Sequence, residues 1–250
     1  MNKTLILNDL SLLKTRSFID GEWISSDTGN ILAVKNPANG NVIANITKCG
    51  VTETKRMIRA ASVAQKLWAK TNAKDRSKLM RKWYNLIIDN KEDLAQILTA
   101  EQGKPVTEAR AEIVYGANYI EWFAEEAKRI YGDLIPAPTN DKKLFVIKQP
   151  IGVVACITPW NFPCAMLARK IAPALAAGCT VVCKPASETP LSAMALAALA
   201  ERAGIPKGVV NILVGDPEEI GSELTSSPLV KKLSFTGSTA VGKKIMAASS

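Results

Sequence analysis

The stretch Val153-Val154-Ala155-Cys156-Ile157-Thr158-Pro159-Trp160-Asn161-Phe162-Pro163 decides the fold. Five apolar residues run without the polar alternation of a half-solvated strand. A short loop follows, and Pro163 suits the first turn of a helix, where its missing N–H costs nothing. The same rhythm returns three times. Apolar runs at Thr180 to Cys183, Val209 to Val214 and Leu233 to Phe235 are each followed by a helical pattern, beginning near Pro190, Pro217 and Ser238. Such a pattern predicts an α/β fold, a doubly wound parallel sheet with helices on both faces. Thr189-Pro190 offers an N-cap and an N1 proline, Gly178 and Gly204 stand where helices should end, and Ile205-Pro206 forbids continuation. Ligands in such sheets bind beyond the carboxyl ends of the strands, which points to the loops after Ile157, Cys183, Val214 and Phe235.

This unit spans residues 151–250. Before it, residues 132–150 carry Pro136, Pro138 and the polar run Lys142 to Lys148, and are predicted to form an extended arm. Residues 1–131 are predicted to form a strand and helix block. Short strands lie in Ser17 to Ile24 around Asp20-Gly21 and in Ile31 to Ile46 around Pro37 and Gly40. Helices follow over Thr52 to Thr71, Ala73 to Ile88, Lys91 to Gln102 and Thr107 to Tyr131, with Asn90 and Gly103 capping the third.

The 250 residues are 47% hydrophobic and 22% charged, enough apolar content for a large α/β core. Asn8, Asp9 and Lys14 interrupt Leu5, Ile6, Leu7 and Leu10 before a signal-peptide core forms, and no apolar run approaches the ~18 residues of a membrane span. A soluble, cytoplasmic protein without a membrane partner is expected. Cys49, Cys156, Cys164, Cys179 and Cys183 are odd in number and lack paired short spacing, against a disulfide framework or a metal site. The absence of histidine excludes Ser-His and Cys-His nucleophile pairs and imidazole-ligated zinc. The net charge of +9 is uneven, with ten lysines and arginines against one acid between Lys55 and Trp83. A nucleic-acid footprint has this look. Ile58, Ala61, Leu67, Leu79, Trp83 and Leu86 recur at roughly helical spacing among the charges, however, so a solvated helical face and no nucleic acid are expected.

Phe235-Thr236-Gly237-Ser238-Thr239-Ala240-Val241-Gly242-Lys243-Lys244 reads as a glycine turn opening a helix. Unsatisfied N–H groups and the helix dipole favour an anion there, and Gly237 allows a pyrophosphate to approach. Gly237 to Lys243 also has the spacing of a P-loop, but Lys244 stands where a magnesium-binding hydroxyl belongs.

With Ile157-Thr158-Pro159-Trp160-Asn161-Phe162-Pro163 and Cys183-Lys184-Pro185-Ala186-Ser187 added, three strand-end loops carry motifs. In this order they resemble the cofactor half of the aldehyde dehydrogenase superfamily. Asn36-Pro37, Glu101-Gln102-Gly103-Lys104-Pro105 and Gly208-Val209-Val210-Asn211 extend the resemblance over nearly the whole chain. The run Ile120-Glu121-Trp122-Phe123-Ala124-Glu125-Glu126-Ala127-Lys128-Arg129-Ile130-Tyr131-Gly132 and the phrase Ala168-Arg169-Lys170 look most like succinate-semialdehyde dehydrogenases.

The resemblance implies NAD(P)-dependent oxidation of an aldehyde to a carboxylic acid, with succinate semialdehyde as the small-molecule substrate. It implies that Trp160 and Asn161 line the cofactor. The Asn161 amide N–H would then help stabilise the oxyanion formed when a cysteine thiolate attacks the aldehyde, as a neutral donor that does not compete for a proton. Asn161 is also a candidate N-cap for the helix opened by Pro163. Lys184 is implied to hydrogen-bond the adenosine ribose, with Ala186 keeping the backbone close. Thr158, Gly215, Gly221 and Gly237 join the implied cofactor set, as do Ser238, Thr239, Ala240, Val241 and Gly242. NAD-preferring relatives carry a glutamate at position 187. Ser187 removes a carboxylate that would repel a 2′-phosphate and offers a donor, which favours NADP, with NAD as the alternative. Neighbouring Glu188 could bring its carboxylate to the same place through a small loop shift. Arg169 is the implied anchor for a distal carboxylate, against the reading of a helix-surface arginine. Cys164 stands near a helix N-terminus but is expected to be an ordinary buried thiol.

The superfamily's general base lies in a Glu-Leu-Gly-Gly segment and its nucleophile in a Gly-Gln-x-Cys segment, and neither occurs here. The chain's last residues, Ala247-Ala248-Ser249-Ser250, continue a helical pattern without a glycine cap. The expectation is the N-terminal cofactor-binding portion of a longer enzyme, with the catalytic domain absent and no turnover alone. It would be a homo-oligomer in full-length form or partnered by a separate C-terminal half, with Leu144 to Gln149 able to pair with another subunit's sheet edge. A dinucleotide-binding module without chemistry and a P-loop-like hydrolase stay open as alternatives.

Overall fold

Asp20 and Gly21 both take positive φ, 54° and 74°, as a two-residue hairpin turn requires, and they join β1 (Ser17–Ile19) to β2 (Glu22–Ile24). The computed structural model describes residues 5–249; Met1 to Thr4 and Ser250 of the expected segments lie outside them. A second hairpin pairs β3 (Ile31–Lys35) with β4 (Val42–Thr47). Helices α1 (Val51–Trp68), α2 (Ala73–Asp89), α3 (Lys91–Gln102) and α4 (Val106–Glu126) follow, and α4 tightens into a 3-10 turn at Ala127–Arg129. β5 (Asp133–Ile135) and β6 (Leu144–Val146) pair as an exposed antiparallel hairpin. Strand and helix then alternate: β7 (Val153–Ile157), α5 (Pro163–Ala176), β8 (Val181–Lys184), α6 (Leu191–Ala203), β9 (Val210–Ile212), α7 (Pro217–Ser226), β10 (Val230–Phe235) and α8 (Thr239–Ala248).

The main sheet has the order β10-β7-β8-β9-β1-β2. Its first four strands are parallel, as expected, and β1 and β2 add an antiparallel edge through Phe18 opposite Ile212. The N-terminal block is therefore not separate from the sheet. Side chains alternate between its faces. Val154, Cys156, Val181 and Cys183 enter a core with α2 to α6, whereas Val153, Ala155, Ile157 and Val182 meet Met57, Ile58 and Ala61 of α1 and Ile220 and Leu224 of α7. The chain steps from β7 to β8 to β9 in one direction, then returns by α7 to lay β10 on the other side of β7. The strand order thus reverses between β7 and β10, where open α/β sheets leave a crevice.

Three local expectations fail. Leu67 is exposed at 76% and Trp68 is buried in its place, a one-residue error of phase in α1. Asn90 donates its side-chain amide to Leu86 O (2.7 Å), closing α2, and makes no side-chain cap on α3. Thr189 does not cap α6: its hydroxyl is buried without a partner, and Pro190 is the N-cap residue. The N-terminus of α6 is capped from α3, where the Glu101 carboxylate accepts from Leu191 N (2.7 Å) and Ser192 N (2.8 Å). A carboxyl group offers two acceptor oxygens to the two N–H groups at once, which a single local hydroxyl cannot. No helix among the described residues is long and apolar enough to cross a membrane.

Candidate functional site

The loops leaving β7 and β10 diverge at the reversal point, and a cleft of about 530 Å³ opens between them and α7. Of the residues singled out from the sequence, Thr158, Lys184, Ala186, Ser187, Gly221, Gly237, Ser238 and Val241 line it. Glu188 lines it too, beside Ser187.

Trp160, Asn161, Gly215, Thr239, Ala240, Gly242 and Arg169 do not line this cleft. Trp160 is 54% exposed and Asn161 is exposed beside it, on the outer part of the loop. Gly215 bridges the backbone of Cys49 instead, where a Cβ would stand 1.8 Å from the Cys49 carbonyl oxygen. Thr239 and Ala240 face solvent on α8, and Gly242 abuts the ring of Phe235. Gly237 has a steric reason besides ligand approach: a Cβ there would meet the Phe235 ring at 2.5 Å. Because α8 begins at Thr239, Gly242 and Lys243 lie inside a helix, and the loop that a P-loop wraps around phosphates does not form.

Sequence reading missed the α7 wall, Glu218, Ser222 and Thr225, together with Thr236 and Lys244. The spacing 218, 221, 222, 225 is one helical face, a signal that attention to strand ends alone passes over.

Two buried polar groups of the cleft keep hydrogen-bonding capacity that the protein does not use. The Lys184 ammonium donates to Pro185 O at 3.2 Å and makes no other hydrogen bond among the described residues. Burial pulls it below the ordinary lysine value, while the carboxylates of Glu188 and Asp216 push it up. The Thr158 hydroxyl is buried and unpartnered. Ser238 caps α8 by accepting from Val241 N at 3.4 Å, which leaves other first-turn N–H groups without intrahelical acceptors. Ser187 Oγ donates weakly to Gly215 O at 3.5 Å, so its donor is partly occupied. Lys184, Lys244, Glu188 and Glu218 all contribute to the cleft lining, two charges of each sign.

The loop carrying Asn161 is pinned from below. Lys104 Nζ donates to Glu112 Oε2 at 2.5 Å and to Asn161 O at 3.0 Å, and sits 4.0 Å from the Phe162 ring centroid. Glu112 Oε1 accepts from Cys164 N (3.0 Å) and Ala165 N (3.3 Å). Glu112 therefore caps α5, and Asn161 does not. Cys164 is the buried thiol expected: burial, then the carboxylates of Glu112 and Glu101, push it well above the ordinary thiol value. Arg169 is half-buried on α5, and its Nη2 donates to the hydroxyls of Tyr119 and Tyr115, the latter at 3.1 Å. No carboxylate among the described residues pairs with it. Among the described residues no group of three or more His, Cys, Asp or Glu side chains could hold a metal ion.

A family model described as the aldehyde dehydrogenase family matches residues 23–250. Glutarate-semialdehyde dehydrogenase of Pseudomonas aeruginosa is 55% identical over 96% of this chain and 50% of its own length. 3-Sulfolactaldehyde dehydrogenase of Pseudomonas putida is 57% identical over 97% and 50%. The NADP-type succinate-semialdehyde dehydrogenase GabD of Escherichia coli K12 is 55% identical over 96% and 50%. The crystal structure of succinate-semialdehyde dehydrogenase from Burkholderia pseudomallei superposes with a TM-score of 0.96 at 54% identity, over 97% of this chain and 50% of that one. The chain spans about half the length of these relatives.

Proposed function

The chain belongs to the aldehyde dehydrogenase family, and from that premise we propose that it supplies the dinucleotide site, and part of the substrate site, for NAD(P)-dependent oxidation of an aldehyde to a carboxylic acid. The observation that carries this reading is the cleft at the reversal of strand order, whose lining holds the buried Lys184 ammonium, spent on one carbonyl only, and the unpartnered Thr158 hydroxyl. Buried donors without partners cost free energy unless a ligand satisfies them. They fit a nucleotide: the Lys184 ammonium has N–H groups to give to ribose hydroxyls, and the first turn of α8 offers N–H groups and a positive dipole end to a pyrophosphate. The nicotinamide cofactor, when bound, supplies the hydride acceptor.

Residues 151–250 form the dinucleotide-binding portion in this reading, and 132–150 an arm for association between copies. Asn161 holds an exposed neutral amide on a loop fixed by Lys104, as stabilisation of an oxyanion demands. The attacking thiolate is none of the five cysteines, all of which are buried. We assign Arg169 to the distal acid group of the substrate. Helical rise sets it roughly 10 Å along α5 from Phe162, and helical side chains lean toward the N-terminus, so an acid held there directs its other end toward the Asn161 loop. The substrates in the names of the three relatives all pair an aldehyde with an acid group. Succinate semialdehyde is our choice, from the resemblance carried by residues 120–132 and 168–170.

Ser187 underlies the preference for NADP, because no carboxylate stands at 187 to repel a 2′-phosphate. Calorimetry with each dinucleotide tests both levels. NADP is expected to bind more tightly than NAD, and Ser187→Glu to reverse the order. Equal affinities would remove the NADP preference, and failure of the chain to bind either dinucleotide would remove the function.

A further inference from the structure

Arg169, half-buried on α5, is held by neutral groups alone among the described residues. Its Nη2 donates to Tyr119 and Tyr115, its carbon centre lies 4.8 Å from the Tyr119 ring centroid, and Nη1 touches Met166 Sδ at 3.5 Å. The tyrosines stand four residues apart on α4, with ring centroids 5.1 Å apart and hydroxyl oxygens 2.6 Å apart. Hydrogen counting constrains this cluster. Both phenolic oxygens accept from Arg169, and the short contact between them consumes one hydroxyl hydrogen. Whichever tyrosine donates in that contact, the other keeps an O–H with no acceptor among the described residues.

We propose that Tyr115 and Tyr119 are specificity-determining residues for an acid-bearing substrate: they fix the Arg169 fork from behind, and the surplus hydroxyl hydrogen joins its free N–H groups as a second donor to the carboxylate. The inference rests on the reading of Arg169 given above. A carboxylate satisfies both donors at once, because it accepts on two oxygens, whereas an uncharged amide meets the cluster with donors of its own. The hydrogen bond between the rings raises the Tyr115 phenol, and the same bond, with Arg169 assisting, lowers that of Tyr119. Either hydroxyl can be the internal donor, and the other then holds the hydrogen left for a ligand.

The test is titration of the full chain, saturated with NADP, with butyrate and with its isostere butyramide. Binding is read by the shift of the Arg169 Nε–H resonance and by calorimetry. Butyrate is expected to bind at least about tenfold more tightly than butyramide. Tyr115→Phe/Tyr119→Phe should weaken butyrate about tenfold, the worth of one hydrogen bond to a charged group, and leave butyramide and NADP unmoved. Arg169→Met should erase the preference for butyrate. If Arg169→Met erases it and the double phenylalanine variant binds like the unchanged chain, this inference is overturned while the reading of Arg169 stands. If Arg169→Met keeps the preference, or the unchanged chain shows none, both fall. Urea midpoints within experimental error of the unchanged chain confirm that each variant is folded.

Discussion

Replacing Glu112 should destabilise the protein far more than replacing its ion-pair partner Lys104. The two side chains are 1% and 9% exposed, so the pair is desolvated. Glu112→Ala removes three hydrogen bonds from buried donors: Lys104 Nζ, Cys164 N and Ala165 N. It leaves the Lys104 ammonium with only Asn161 O and the face of Phe162. Breaking a buried ion pair from one side costs about 3–5 kcal/mol, and losing a helix cap adds about 1 kcal/mol. A loss of about 4–6 kcal/mol is expected. Lys104→Met keeps the apolar stem, and Glu112 still accepts from two N–H groups at the positive end of α5, where a carboxylate is favoured. That variant should lose about 1–2 kcal/mol. Urea unfolding followed by tryptophan fluorescence, with equal m values, measures both, and the double variant closes the cycle. A cost for Glu112→Ala below about 2 kcal/mol, or one no larger than that of Lys104→Met, would refute the assignment of Glu112 as both cap and counter-ion.

Glu101 is held at about 7 by burial, against the hydrogen bonds from Ser192 and Leu191 that favour its charged form. Its folded-state value lies above the ordinary carboxylate range, so between about pH 4.5 and 7 the folded chain binds more protons than the unfolded one. Stability from this group is therefore fully present below pH 4.5 and is lost as pH rises through 7, by about 3 kcal/mol. Subtracting the urea-derived stability of Glu101→Gln from that of the unchanged chain should expose this slope, and a flat difference would contradict it. Lys184→Met should weaken either dinucleotide by about tenfold or more in calorimetry, because a charged donor to the ribose is lost; unchanged affinity would remove Lys184 from the site. Gly215→Ala places a Cβ 1.8 Å from Cys49 O and must break the Cys49 bridge. A cost above about 3 kcal/mol is expected, and a near-neutral result would mean that the bridge is dispensable.

What the sequence made legible was whatever depends on a residue and its near neighbours. β7 was readable because both its faces are buried, so no polar residue interrupts Val153 to Ile157. The α7 and α8 starts were readable because Asp216 and Ser238 bond N–H groups two or three residues on. The caps of α5 and α6 were not. Glu112 reaches Cys164 across 52 positions and Glu101 reaches Leu191 across 90, and nothing local distinguishes them from other helical acids. The same holds for the tyrosines that meet Arg169 from α4. These failures share a physical origin. The helices that cross over the sheet have their N-termini at its functional edge, and carboxylates from α3 and α4 satisfy the first N–H groups of α5 and α6. The segment Glu101-Gln102-Gly103-Lys104-Pro105 contributes no residue to the cleft lining. Through Glu101 on α6 and Lys104 on Asn161 it sets where the loops after β7 and β8 stand. The N-terminal helices therefore belong to the site's framework, since removing their two acids would leave the crossover helices with unsatisfied starts and the site loops without a fixed base.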